Sequence, residues 1–181
     1  AAFATGMAAI GTTLFSLLRR GDHIISSAFL FGNTNSLFNT FAAHGIEVSF
    51  VDATDATLVA AAIQPNTRLV FVETIANPRT QVTDLVGIGD LCEQHQLIFC
   101  VDNTMTTPYL FQPRSVKASL VVNSLTKYIG GHGNALGGAV TDTGNFDWSN
   151  FDNLYDTYKT GPASHWGITQ IKKKGLRDFG A

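Results

Sequence analysis

The chain has 181 residues, of which 45% are hydrophobic and 14% charged, with a net charge of −2. That length suits one substantial core, and the near-neutral balance gives no electrostatic reason to expect nucleic acid or an acidic membrane as partner. No apolar run approaches the roughly 18 residues of a membrane span, and no basic segment followed by an apolar stretch opens the chain as a signal peptide would.

The chain starts at Ala1-Ala2-Phe3 and passes almost at once into a helical pattern over Met7–Arg19. Apolar strands are predicted at His23–Ala28, Glu47–Val51, Leu69–Glu73, Leu97–Asp102, Leu120–Ser124 and Gly138–Thr141. Helices are predicted between them at Thr34–His44, Ala56–Ile63 and Leu85–His95. Thr34 or Asn33, Asp55 and Asp84 are side chains suited to cap helix N-termini, and Gly21 and Gly45 follow two helices as C-terminal glycines do. The strands are continuously apolar rather than alternating, so both sheet faces are covered. That pattern belongs to an α/β fold with a mostly parallel sheet and helices on both faces. From Gly144 to Gly161 the sequence turns aromatic and polar. It reads either as a folded excursion with a few anchoring rings or as a contact with another subunit or domain. Lys172-Lys173-Lys174 reads as a solvated helix end, and that last helix is expected to finish at Gly180-Ala181. Both ends are abrupt, so the chain is expected to be part of a larger protein. Cys92 and Cys100 are not arranged as CxxC, so neither a disulfide framework nor a metal site is expected. A reducing cytoplasm is the natural setting.

The chemistry concentrates at Ser124-Leu125-Thr126-Lys127-Tyr128. A lysine at the end of a buried strand is hard to solvate, so its amine can become a nucleophile. The hydroxyls of Ser124 and Thr126 are suited to phosphate oxygens. A lysine beside phosphate ligands suggests a Schiff base to pyridoxal 5'-phosphate (PLP). Asp102, at the end of another apolar run, offers the carboxylate that PLP enzymes place against the pyridinium nitrogen. Ligands of open α/β sheets bind beyond the carboxyl ends of the strands, where Asp102, Asn77 and Lys127 all fall. Thr5-Gly6-Met7 opens a helix whose free N–H groups can hold an anion, and Gly6 lets that backbone come close. Taken alone, each motif has a plainer reading. Asp102 could cap a turn, Asn77-Pro78 could be a turn signal, and Lys127 could be a surface lysine. His132 is as plausible a structural histidine as a functional one.

Thr5-Gly6-Met7, Phe31-Gly32-Asn33-Thr34, Glu73-Thr74-Ile75-Ala76-Asn77-Pro78, Val101-Asp102-Asn103-Thr104 and Ser124-Leu125-Thr126-Lys127-Tyr128 occur in one order and spacing. In these the chain resembles the transsulfuration (Cys/Met-metabolism) family of PLP enzymes. Gly131-His132-Gly133-Asn134-Ala135-Leu136-Gly137-Gly138 and Lys174-Gly175-Leu176-Arg177-Asp178 are most similar to its O-acetylhomoserine sulfhydrylases, the homocysteine synthases. The resemblance implies the large, PLP-binding domain of the type I aspartate-aminotransferase-like fold over residues 1–181. The family's N-terminal arm and C-terminal domain would lie outside it. It implies Lys127 and Asp102 as catalytic residues. It also implies a cofactor site of Gly6, Met7, Phe31, Asn77, Asp102, Thr104, Ser124, Thr126 and Lys127. Phe31 departs from the family's usual tyrosine, keeping a stacking face but losing a hydroxyl. The implied reaction is γ-replacement on an O-acylhomoserine with sulfide, in a homo-oligomer, a dimer or tetramer. Cystathionine γ-synthase and methionine γ-lyase share these motifs. Two readings lie outside the class. A nicotinamide-binding module would need G-x-G-x-x-G after the first strand, where Ser26-Ser27-Ala28-Phe29-Leu30 has none. A non-catalytic ligand-binding domain would be expected to have lost Lys127 or Asp102.

Overall fold

Along the strand Thr67–Glu73 successive side chains alternate between two cores. Leu69 and Phe71 enter one, Val70 and Val72 the other, and all four are fully buried. A strand apolar on both sides can sit only inside a sheet covered on both faces. The computed structural model, which describes residues 1–178, shows that arrangement. The expected helix end at Gly180-Ala181 lies outside the described residues.

In chain order the elements are β1 (Ala2–Phe3), α1 (Gly6–Leu17), β2 (His23–Ser27), α2 (Gly32–Ala43), β3 (Glu47–Val51), α3 (Ala56–Ala61) and β4 (Thr67–Glu73). They continue with α4 (Leu85–Gln94), β5 (Ile98–Asp102), α5 (Thr107–Leu110), β6 (Leu120–Ser124), β7 (Gly138–Asp142) and α6 (Trp166–Gln170). One seven-stranded sheet has the order β1-β7-β6-β5-β4-β2-β3. The pairings from β3 through β6 are parallel, and β7 is antiparallel to both β6 and β1. On one face Ile10 and Leu14 of α1 meet Phe38 and Phe41 of α2; on the other Val59 of α3 meets Ile88 of α4.

The predicted elements are all present, with ends moved by a few residues. Asp55 and Asp84 cap α3 and α4, accepting from the N–H groups of Thr57 and Gly87. Gly21 and Gly45 hold φ of 92° and 75°, conformations that favour glycine. α2 starts earlier than predicted, with Phe31 at its N-cap and no side-chain cap. The Phe31 carbonyl accepts from Thr34 and Asn35, so neither expected cap, Thr34 or Asn33, holds that place, and Thr34 turns its hydroxyl to Met7 Sδ at 3.8 Å. The two-residue β1 was not predicted; it is too short to carry a periodic signal. In the stretch from Gly144 to Gly161, Trp148 is fully buried and stacks edge-on against Phe146 and Phe151, so these rings anchor the excursion to its own core. Lys172 and Lys173 are exposed on a helical segment, Ile171–Asp178. Cys92 and Cys100 are buried free thiols, and burial pushes both up. Among the described residues no helix is long and apolar enough to cross a membrane.

His23 is fully buried where β2 begins, with Nδ1 2.7 Å from Thr67 Oγ1 and Nε2 3.0 Å from Ser49 Oγ. Burial holds its imidazole below the usual 6.5, opposed by the Glu47 carboxylate. The unfolded chain therefore binds this proton first as pH falls. The neutral ring's contribution is complete above about pH 6.5 and is lost on acidification toward the lower folded value. We expect His23→Gln to cost about 1–3 kcal/mol at pH 8, as for a broken buried hydrogen-bond network. The gap from wild type should narrow at pH 5. Denaturant unfolding at the two pH values measures it, and a gap that widens on acidification contradicts the assignment.

Candidate active site

The parallel strands finish along one edge of the sheet, β4 at Glu73, β5 at Asp102 and β6 at Ser124. Register fixes the neighbours: Glu73 lies opposite Asp102, and Asp102 opposite Val122. Past this edge is an open cleft of about 630 Å³, and every candidate site residue lines it. A second cleft, of about 640 Å³, lies where β4, β5 and β6 begin, near Thr67, Leu97 and Ser119, and holds none of them.

Asp102 is held from one side. Thr104 donates to its Oδ1 through both N–H, at 2.9 Å, and hydroxyl, at 2.5 Å, so Oδ2 is left without a partner among the described residues. Burial pushes the carboxyl up, and the Thr104 bonds oppose this. The Thr104 hydroxyl also accepts the Ser124 N–H at 2.8 Å, tying the end of β5 to that of β6.

At the start of α1, Thr5 Oγ1 accepts the Ala8 N–H and the Thr5 carbonyl accepts that of Ala9, both at 3.0 Å. The N–H groups of Gly6 and Met7 keep no partner among the described residues. Gly6 itself abuts the end of β6. A Cβ on Gly6 would stand 2.7 Å from Ser124 Cβ, so the approach admits only glycine. Two unpaired N–H groups, a helix N-terminus and the Ser124 hydroxyl form a cradle for an anion. Thr126 is less available, because its hydroxyl donates to the Gly137 carbonyl at 3.2 Å and accepts the Gly137 N–H at 3.1 Å.

Lys127 corrects one expectation. It lies past the strand end in the segment Leu125–Ile129, where its backbone leaves helical values (φ −91°, ψ −123°), and its side chain is exposed at the cleft rather than buried. β6 stops three residues earlier, so the strand cannot cover it. The amine has no hydrogen-bond or ion-pair partner among the described residues.

Two further walls complete the cleft. Phe31, 39% exposed, presents its ring from the N-cap of α2, and Asn77 lies in the turn after β4 with its side chain exposed. Between them is Glu73, whose Oε1 accepts the Phe31 N–H at 2.7 Å and whose Oε2 accepts the Asn77 N–H at 3.2 Å. Burial and the Asp102 charge push the Glu73 carboxyl up to about 7, against the pull of those two N–H groups. Sequence reasoning gave Glu73 no firm role; the signal was an acid closing an apolar run. Tyr128, Met105 and Ile75 also line the cleft and were not singled out. His132 is exposed, with Nδ1 3.0 Å from the Gly130 carbonyl.

The donors fit a flat cation with a phosphate arm: a carboxylate oxygen at one end, an anion cradle at the other and an unpaired amine beside them. The fold is that of the type I PLP enzymes. The chain belongs to the family of Cys/Met metabolism PLP-dependent enzymes, which matches residues 1–177. It is 43% identical over 143 residues to canavanine gamma-lyase of Pseudomonas canavaninivorans, covering 78% of this chain and 36% of that protein. It is 41% identical over 150 residues to O-acetyl-L-homoserine sulfhydrylase of Corynebacterium glutamicum, covering 82% and 34%. The solved structure of O-acetylhomoserine sulfhydrylase from Wolinella succinogenes matches with a TM-score of 0.89 at 37% identity, over 99% of this chain and 51% of that one. The chain thus spans about a third to a half of the length of these relatives.

Gly6→Ala tests the cradle. The added methyl meets backbone-anchored Ser124 atoms and should cost about 1–3 kcal/mol, as overpacking does. Gly11→Ala in the same helix would meet only Leu37 Cδ2, at 3.8 Å, and should be neutral or slightly stabilising. Thermal unfolding of the pair measures the contrast, and equal stabilities would mean that α1 does not abut β6 as described.

Proposed function

We propose that residues 1–181 are the large-domain core of a PLP-dependent enzyme that performs γ-replacement on an O-acylhomoserine, with sulfide as nucleophile and homocysteine as product. The observation that supports this most is the meeting in one cleft of the unpaired Lys127 amine, the open Asp102 Oδ2 and the unpaired N–H groups of Gly6 and Met7. PLP, when bound, supplies an aldehyde that captures amines and a protonated ring that withdraws electrons from the substrate's Cα.

In this proposal Lys127 would hold the cofactor, and its amine would also move protons at the substrate's Cα and Cβ. The Asp102 Oδ2 would keep the ring nitrogen protonated, with Thr104 holding the other oxygen. Gly6, Met7 and Ser124 would receive the phosphate, and Thr126 would join them by turning its hydroxyl from Gly137. Phe31 would offer a stacking face with no proton to donate, and the Asn77 amide would serve as a donor to the cofactor. We also take the full protein to be a cytoplasmic homo-oligomer. Tyr109, 93% exposed, and Leu110, 73% exposed, offer apolar surface on α5, five residues beyond Asp102.

Elimination is the second reading, since a lyase and a sulfhydrylase are nearly equally identical to the chain. Assay of the full protein with O-acetylhomoserine distinguishes them. Homocysteine formed only when sulfide is added supports replacement, and ammonia with a 2-oxo acid released without sulfide supports elimination.

Borohydride reduction of the PLP-loaded full protein should place the pyridoxyl group on Lys127, read by peptide mapping; a label on Lys117 or Lys159 sinks the assignment. Asp102→Ala should retain PLP yet lose turnover by on the order of 100-fold or more, as loss of a preorganised electrostatic partner does. Near-normal turnover would make Asp102 a turn residue only.

A further inference from the structure

Glu73 is 6% exposed at the end of β4, a costly place for an acid. It takes part in no ion pair among the described residues. Its neighbour across the ladder, Asp102, is a second carboxylate, so the two repel when both are ionised. An apolar or amide side chain would avoid that cost. What the carboxylate offers instead is a pair of acceptors pointing apart.

Each acceptor serves a different segment. Oε1 takes the N–H of Phe31, which is 42 positions away and begins α2; Oε2 takes the N–H of Asn77, four positions on. Those two residues both line the cleft, one carrying an aromatic face and the other an amide. Each Glu73 oxygen already holds a backbone N–H, whereas Asp102 keeps Oδ2 without a partner among the described residues. The strand end itself is fixed, because the Thr83 hydroxyl donates to the Glu73 carbonyl at 2.6 Å.

We propose that Glu73 is a positioning residue that sets the Phe31 and Asn77 walls at the separation a flat cofactor ring requires, acting as a clamp between two loops rather than touching the reacting atoms. The inference rests on the PLP reading of the cleft. It accounts for an acid where size and burial alone would favour an apolar residue. Glutamine has nearly the same shape but only one acceptor oxygen, and its NH₂ would confront the other backbone N–H. It should therefore release one wall and leave the other in place.

The test uses the full protein and Glu73→Gln. Borohydride should still label Lys127 in the variant. The Kd for PLP should rise tenfold or more, and the visible circular dichroism of bound PLP, which reports how the ring is seated, should fall by at least half. Independently of any variant, hydrogen exchange in the cofactor-free wild type should protect the Phe31 and Asn77 amides at least 100-fold over the amide of Arg79 in the same turn. Unprotected Phe31 and Asn77 amides overturn the clamp even if Glu73→Gln fails to fold. A wild type that binds PLP beside a variant with unchanged Kd and dichroism overturns it while leaving the proposed function intact. A wild type that takes up no PLP refutes the proposed function, and the clamp's purpose with it.

Discussion

Parallel pairing in a single register is the constraint on which the cleft depends. Because β4, β5 and β6 run the same way and pair Glu73 with Asp102 and Asp102 with Val122, their polar ends emerge side by side. A one-residue slip would turn Asp102 into the core and Val101 toward the cleft. Register is protected by the alternation that separates Leu69 and Phe71 from Val70 and Val72, since each set fills a different core. Packing of the two faces thus fixes where the chemistry can be.

The two strand-end acids show how one environment produces different roles. Both are pushed up by burial, and both accept hydrogen bonds that oppose it. Asp102 takes its bonds on one oxygen from Thr104, two residues on, leaving the other without a partner among the described residues. Glu73 has one more methylene and reaches backbone on two loops, so each of its oxygens holds a backbone N–H. Side-chain length and the direction of local donors decide the difference.

Much of this was legible in the sequence for physical reasons. Continuous apolar strands such as Ile98-Phe99-Cys100-Val101 announce a sheet covered on both faces, and Asp55 and Asp84 mark helix starts through local hydrogen bonds. That Gly6, Asn77, Asp102, Ser124 and Lys127 would converge was legible because they fall at strand ends and at a helix start, whereas Met7, Phe31 and Thr104 were reached through the family resemblance; all of them line one cleft. What stayed hidden depends on distant partners. The start of α2 is set partly by Glu73, 42 residues from Phe31, and local capping signals pointed to Thr34 or Asn33 instead. The bonds from Thr126 to Gly137 and the exposure of Lys127 depend on how the chain turns after β6, which no periodic pattern encodes. β1 is defined only by its partner Gly138-Ala139.

The Thr104 hydroxyl has a role in spacing. By donating to Asp102 and accepting from Ser124 it makes the gap between the carboxylate and the anion cradle a property of two adjacent strands. α1 is pressed against the same strand end through Gly6, so both termini of the gap share one rigid frame. The spacing between the Asp102 carboxylate and the start of α1 is therefore carried by sheet and helix together, so a change in β6 packing would be felt at both ends of the cleft.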